Sequence, residues 1–186
     1  MGEAYHHGDL RAVVLCQAAE QIAQDGVDRL SLRGLAQRAG VSHAAPAHHF
    51  GDRQGLFTAL ATEGFDLLAA ELQVAGPDLR DVAVAYVRFA LARPGHFAVM
   101  FRSDLLRADD ADLAAARRRS GTALREGVDG LEGVDDRRSV QLAAWSVVHG
   151  FASLWREGAF AGSELVDASV DPEVVARRIV DRLTFT

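Results

Sequence analysis

The sequence predicts an all-α chain, and three observations carry that reading. Ala, Leu, Arg and Glu dominate segments whose apolar residues recur at helical spacing. Alternating β-branched runs are missing. Clusters of Gly, Pro and Asp cut the chain into pieces of helix length. No internal repeat of roughly 20–50 residues marks a solenoid. At 186 residues the chain fits one domain, or a small head fused to a larger body.

Each element follows from local signals. A first helix is expected from a cap at Asp9 to about Gln24, with Val14, Leu15, Ala18, Ala19 and Ile22 inward and Asp25-Gly26 as its stop. Ser31 caps a second, short helix ending near Ala39, with Leu30 and Leu35 placed as a hydrophobic staple. Gly40-Val41 forms a tight turn. Ser42 is the expected cap of a third helix over 43–50, closed by Gly51. In that reading Pro46 stands inside the helix, where it removes an intrahelical N–H bond and bends the axis. Asp52 caps a long fourth helix that Gly76-Pro77 ends. Further helices are expected at about 78–92, 94–102, 110–128, 136–158 and 172–184.

Two short helices joined by a glycine turn form a helix-turn-helix, an arrangement that sets one helix into the major groove of DNA. The third helix is so poor in apolar residues that it makes sense as a presented surface, with Ser42, His43, Ala44, Ala47, His48 and His49 outward and Phe50 as its anchor. A surface turn of an ordinary helical protein is the bland alternative. The sequence predicts a division into residues 1–55 as a helix-turn-helix DNA-binding domain and 56–186 as a ligand-binding and dimerisation domain.

Charge weighs against easy DNA binding. The net charge is −6 and every one of the 20 basic residues is arginine. Within residues 1–55, Arg11, Arg29, Arg33, Arg38 and Arg53 stand against Glu3, Asp9, Glu20, Asp25, Asp28 and Asp52. Neutralising phosphates supplies most non-specific affinity, so this head starts with little of it.

Other classes find less support. A Gly-rich phosphate loop, nucleophile elbow, Cys-His pair and metal-ligand cluster are all missing, so neither catalysis nor a cofactor is expected. His48 and His49 are neighbours whose side chains diverge by about 100° on a helix, and His6-His7 has no ligand partner in register, so no metal site is expected. The single cysteine, Cys16, allows no internal disulfide, fits a reducing cytoplasm, and reads as a small core residue. No apolar run approaches the roughly 18 residues of a membrane span, and the start MGEAYHHGDLR is not a signal peptide. A cytoplasmic location without membrane association is expected.

The run LSLRGLAQRAGVSHAAPAHHFGDRQGLFTAL resembles the N-terminal domain of TetR/AcrR-type transcriptional regulators, and YHHGDLR before it is common in one branch of that family. The resemblance implies a homodimer whose two heads bind adjacent major grooves of a palindromic operator. It makes Ser42, His43, Ala44, His48 and His49 the DNA-facing set, Arg33 and Gln37 phosphate contacts, and Arg53 a backbone contact where the family usually has a lysine. The N-terminus of the fourth helix would favour a phosphate as well. Ala47 departs from the pattern: a phosphate-binding tyrosine is usual there, and its loss should weaken binding without altering sequence choice.

In the body, aromatic and flexible apolar residues gather from Phe65 onward. Most such side chains are core, but helical bundles also build ligand sites from them. The candidate pocket is Phe89, Phe97, Met100, Phe101, Trp145 and His149, for a small apolar or aromatic effector. The segment 136–158 is apolar nearly all round from Leu142 to Trp155 and must be covered on two sides. A second copy of the same helix is the economical cover, with Ala143, Val147, Gly150 and Leu154 meeting Val175 and Ile179 of the last helix in a four-helix bundle across a two-fold axis. Trp145, His149 and Gly150 resemble the WHG-type C-terminal domain of a subset of TetR-like regulators. The expected function is a ligand-responsive repressor; the alternative is a small-molecule-binding or interaction homologue with weak or lost DNA binding.

Overall fold

The computed structural model describes residues 7–167 and 169–183. The residues Tyr5-His6, in the motif before the first helix, and the last residue of the helix expected over 172–184 lie outside them, as do the side chains of 7–9. Among the described residues the helices are α1 (His7–Asp25), α2 (Leu32–Arg38), α3 (Ala45–Phe50), α4 (Arg53–Ala75), α5 (Leu79–Ala92), α6 (Pro94–Met100), α7 (Ala111–Asp129), α8 (Arg137–Arg156) and α9 (Pro172–Val180). Short 3₁₀ turns occupy Val27–Arg29 and Ser103–Leu105. The described part has no strand.

Two compact units share these helices. One takes the residues through Phe65 together with Arg93–Ala116; the other takes Asp66–Ala92 and the residues from Arg117 onward. Helices α4 and α7 each run from one unit into the other.

In the first unit the apolar face of α1 is the one the spacing picks out: Val14, Leu15, Ala18 and Ile22 are buried. Leu30, Leu35, Ala36, Phe50, Leu56, Phe57 and Leu60 of the same unit are buried as well. Helix α1 packs directly on α6. That crossing depends on Gly95, because a Cβ there would lie 2.0 Å from the carbonyl oxygen of Ala19. Met100 is fully buried, and its sulfur takes the space a Cβ on Gly64 would need.

In the second unit α5 packs against α8 and α9. Leu79, Val128 and Ala144 form a small core with Leu124, Leu131 and Val140 around it. Three ion pairs fasten α9 to α5: Arg88 to Glu173, Arg177 to Asp81 and Arg80 to Asp181.

The element boundaries correct several expectations. Asp9 lies inside the first turn of α1 instead of before it. Helix α6 stops at Met100, where Arg102 N–H bonds back to Val99 and the chain tightens into the 3₁₀ turn. Helix α9 ends at Val180 because the N–H groups of Arg182 and Leu183 bond three residues back. Cys16 is exposed on α1, not in the core. Desolvation first, then the Glu20 carboxylate, push its thiol pKa up, which disfavours the reactive thiolate.

Candidate nucleic-acid interface

Ser31 caps α2 as its sequence position dictates: the Gly34 N–H donates to Ser31 Oγ at 3.1 Å. The exit of α2 is a Schellman motif. Val41 N–H bonds the Ala36 carbonyl at 3.0 Å and Gly40 N–H bonds that of Gln37 at 3.3 Å. Gly40 sits at φ +67°, a left-handed conformation that a Cβ would disfavour. Arg33 and Gln37 are exposed on α2, as is Arg38, which pairs with Asp25 at 3.4 Å.

Helix α3 starts later than the spacing suggests. Ala44, not Ser42, is its N-cap residue, and Ser42 closes a turn in which its carbonyl accepts from Ala45 N–H. The correction changes the meaning of Pro46. It lies at the second helical position, where a missing N–H removes no intrahelical bond, so it does not bend the recognition helix. Pro46 is buried with Phe50 four residues on, and the two form the inward edge of α3. Ser42, His43, Ala44, Ala47 and His48 are exposed; His49 is half-buried, with its ring 5.5 Å from that of His48. Five of the eight expected DNA contacts thus form the turn and outer face of α3, and Arg33 and Gln37 flank it on α2.

The eighth, Arg53, is not presented. Its guanidinium donates to the Val27 carbonyl at 2.6 Å and lies 4.9 Å over the Phe57 ring. The N-terminus of α4 is also spoken for. Gly55 N–H donates to the Asp52 carboxylate at 2.7 Å, and Arg107 pairs with the same carboxylate at 2.9 Å. The Gly55 bond first, and then Arg107, hold the Asp52 carboxyl below its usual pKa, so an anion already occupies this helix end. Arg107 and Leu106 are positioning residues that the sequence reading missed. Arg107 N–H donates to Thr58 Oγ1, and Gln54 donates to the Leu106 carbonyl, so residues 106–107 clamp the start of α4. These partners lie about fifty positions away along the chain and carry no local signal.

The candidate ligand residues fall into two sets, one in each compact unit. In the first unit Phe97 and Phe101 stack edge to face at 5.4 Å, Phe65 stands at the same distance from Phe101, and Met100 is core. In the second unit Phe89 is core, and His149 Nδ1 lies 2.8 Å from the Tyr86 hydroxyl, with the Trp145 ring 5.6 Å from His149. Trp145 also hydrogen-bonds Tyr86. An indole only donates. A consistent chain therefore runs from Trp145 N–H to the Tyr86 oxygen and from the Tyr86 O–H to an unprotonated His149 Nδ1. Burial favours the neutral forms, raising the Tyr86 pKa and lowering that of His149. Tyr86 belongs to this group although sequence reasoning left it out.

A cleft of about 530 Å³ lies elsewhere in the second unit, between the C-terminal half of α4 and α7. Asp66, Gln73, Arg119, Thr122 and Glu126 line it around a floor of Ala69, Ala70 and Ala123, and Asp66 pairs with Arg119. None of the aromatic candidates lines it.

The expected dimer residues lie on an uncovered face. Ala143 and Leu154 are exposed, and Val147, Gly150, Val175 and Ile179 are half-buried. Leu142 beside them is 60% exposed and Val174 43%. Among the described residues no group of His, Cys, Asp and Glu is arranged to hold a metal, and no helix is long and apolar enough to cross a membrane.

A capped α2, a glycine turn and an outward α3, among described residues that are helical and carry no strand, form the helix-turn-helix of a DNA-binding class of protein. Comparison with known proteins gives the family. Residues 14–60 match the model for bacterial regulatory proteins of the tetR family, and residues 79–183 match the tetracyclin repressor-like C-terminal domain. The chain belongs to the tetR family. It is 34% identical over 92 residues to the HTH-type transcriptional repressor Rv1474c of Mycobacterium tuberculosis, a match that spans half of this chain and 46% of that protein. A solved protein of unknown function from Rhodococcus sp. RHA1 shares 35% identity over 97% of this chain and 96% of its own, with a TM-score of 0.78. The TetR family regulator PfmR from Thermus thermophilus shares the fold at 24% identity and a TM-score of 0.67, over 90% of this chain and 94% of its own.

Proposed function

We propose that this chain is a homodimeric repressor that binds a palindromic operator through Ser42, His43, Ala44 and His48 and releases it when a small molecule binds the body. The observation that carries the reading is the outer face of α3. It is exposed and short-chained, and buried Pro46 and Phe50 fix it from behind. Short side chains let the helix approach base edges closely in the major groove, while the exposed Arg33 and Gln37 reach for phosphates.

The uncovered apolar face of α8 and α9 supports the dimer, because a stripe containing Leu142, Leu154 and Val174 costs free energy in water. Two heads so joined would read half-sites roughly 34–36 Å apart. The Trp145, Tyr86 and His149 group supports an apolar or aromatic effector: it offers ring faces with a polar chain to orient a ligand. Helix α4 is the covalent link, since one unbroken helix starts at the recognition helix and ends in the second unit. A coupling of about 1–3 kcal/mol would alter operator affinity by several-fold to a hundredfold.

The inward Arg53 and the acidic cap of α4 favour a second reading, a homologue that senses a ligand with weak or lost DNA binding. Selecting bound duplexes from a random pool decides between them. Recovery of a palindrome with half-sites one helical turn apart supports the first; failure to enrich any sequence supports the second.

A further inference from the structure

We propose that the recognition surface binds DNA as imidazolium, so that the operator complex forms with uptake of protons at the two exposed histidines, His43 and His48. The inference rests on the operator-binding reading above and adds the protonation state in which the site works. Between Gly40 and Asp52, His43, His48 and His49 are the only side chains able to carry positive charge. His43 and His48 are exposed, and His49 is half-buried beside His48.

The surroundings leave them a task that cations usually perform. Helices α1 and α2 pack on α3, and α4 follows it. On α1, the Arg11 guanidinium lies 5.7 Å over the Phe50 ring, Glu20 accepts from Gln17, and Asp25 pairs with Arg38 of α2. Arg33 stands exposed on α2. Where α4 begins, Asp52 is held by Arg107 and Gly55, and Arg53 is turned inward on Val27. Between α1 and α2, Asp28 and Arg29 belong to the 3₁₀ turn. Of the guanidiniums on these neighbouring elements, Arg29 and Arg33 are exposed, Arg38 is paired with Asp25 and Arg53 is turned inward.

Imidazole is the side chain that ordinarily titrates between pH 5 and 8, and DNA carries one negative charge per about 1.7 Å of axis. A phosphate brought within hydrogen-bond reach of an imidazole stabilises its protonated form. By linkage, binding then takes up a proton and affinity rises as pH falls. The two histidines beyond the head are engaged elsewhere, His96 with Glu63 and His149 with Tyr86.

The test is fluorescence anisotropy of the full-length protein on a duplex recovered from the random pool, from pH 8 to pH 6 at fixed ionic strength. The expected gain in affinity is roughly tenfold, with a salt slope at pH 6 steeper than at pH 8 by about 0.9 for each added phosphate neutralised. His43→Gln and His48→Gln, both exposed and expected to fold, should together flatten the pH dependence and weaken binding more at pH 6 than at pH 8. A flat profile with tight, salt-sensitive binding at pH 8 overturns this proposal and leaves the operator reading standing. A pH dependence that survives in the double variant also overturns it, by placing the protons elsewhere. Failure to bind any duplex at any pH overturns both.

Discussion

The two compact units differ in the contacts that stand out between their helices. In the first, contacts are made at backbone distance: Gly95 meets the Ala19 carbonyl, Gly55 leaves no room between itself and the Phe50 carbonyl, and Met100 fills the space over Gly64. In the second, α9 is fastened to α5 by guanidinium–carboxylate pairs near the surface. The first unit should therefore answer sharply to added volume, and the second to charge and pH. A protein that must set α3 precisely against DNA gains from the rigid kind of contact. On the proposed reading, the segment that would accommodate a ligand or a second copy rests on the adjustable kind.

The largest effect should come from Gly95→Ala. A Cβ 2.0 Å from the Ala19 oxygen forces α1 and α6 apart, and a loss of more than about 3 kcal/mol is expected in denaturant unfolding. A variant as stable as the parent would show that the crossing is looser than described. Next is Arg53→Met, which removes the bond to the Val27 carbonyl and should cost about 1–2 kcal/mol. Its telling readout is the salt slope of DNA binding, which should stay constant; a slope reduced by about one contact would restore Arg53 to the phosphate-binding set.

In the second unit, Glu173→Gln breaks the pair with Arg88, and half-exposed partners limit the cost to about 1 kcal/mol or less. The side-chain bond from Arg88 lowers the Glu173 pKa, so this contribution is present above the ordinary carboxylate range and is lost as pH falls through the lowered value. Thermal unfolding should then converge for variant and parent once the pH lies well below the ordinary carboxylate range. The smallest effect concerns His149. Burial lowers its pKa, so the unfolded chain takes up a proton first, and stability declines as pH falls below the usual imidazole value of about 6.5. His149→Gln should flatten that decline between about pH 6.5 and 5; an unchanged profile would show that His149 is already solvated.

These contrasts also mark what the residues made legible. Helix-turn-helix geometry was readable because its signals are local: Ser31 bonds three residues ahead, and Gly40 accepts a conformation few other residues tolerate. The start of α3 was misread because Ser42 has the chemistry of a cap, while Ala44 takes the position so that Pro46 can fall where its missing N–H costs nothing. The inward turn of Arg53 was not legible from its family position, since nothing nearby reveals a carbonyl twenty-six residues earlier. The aromatic residues of the body were legible as a class but not as a site: Phe89 and Met100 are core, whereas Tyr86 joins Trp145 and His149 through a hydrogen bond spanning 63 positions.

The central claim is that α3 and the turn before it read DNA despite a head with little free positive charge. Its most direct measurement is the salt dependence of binding to a pool-selected duplex, set beside a scrambled one. The account predicts a clear preference for the selected sequence and a loss of at least about a hundredfold in affinity between roughly 50 and 200 mM salt. Equal, salt-insensitive affinity for both duplexes would contradict it.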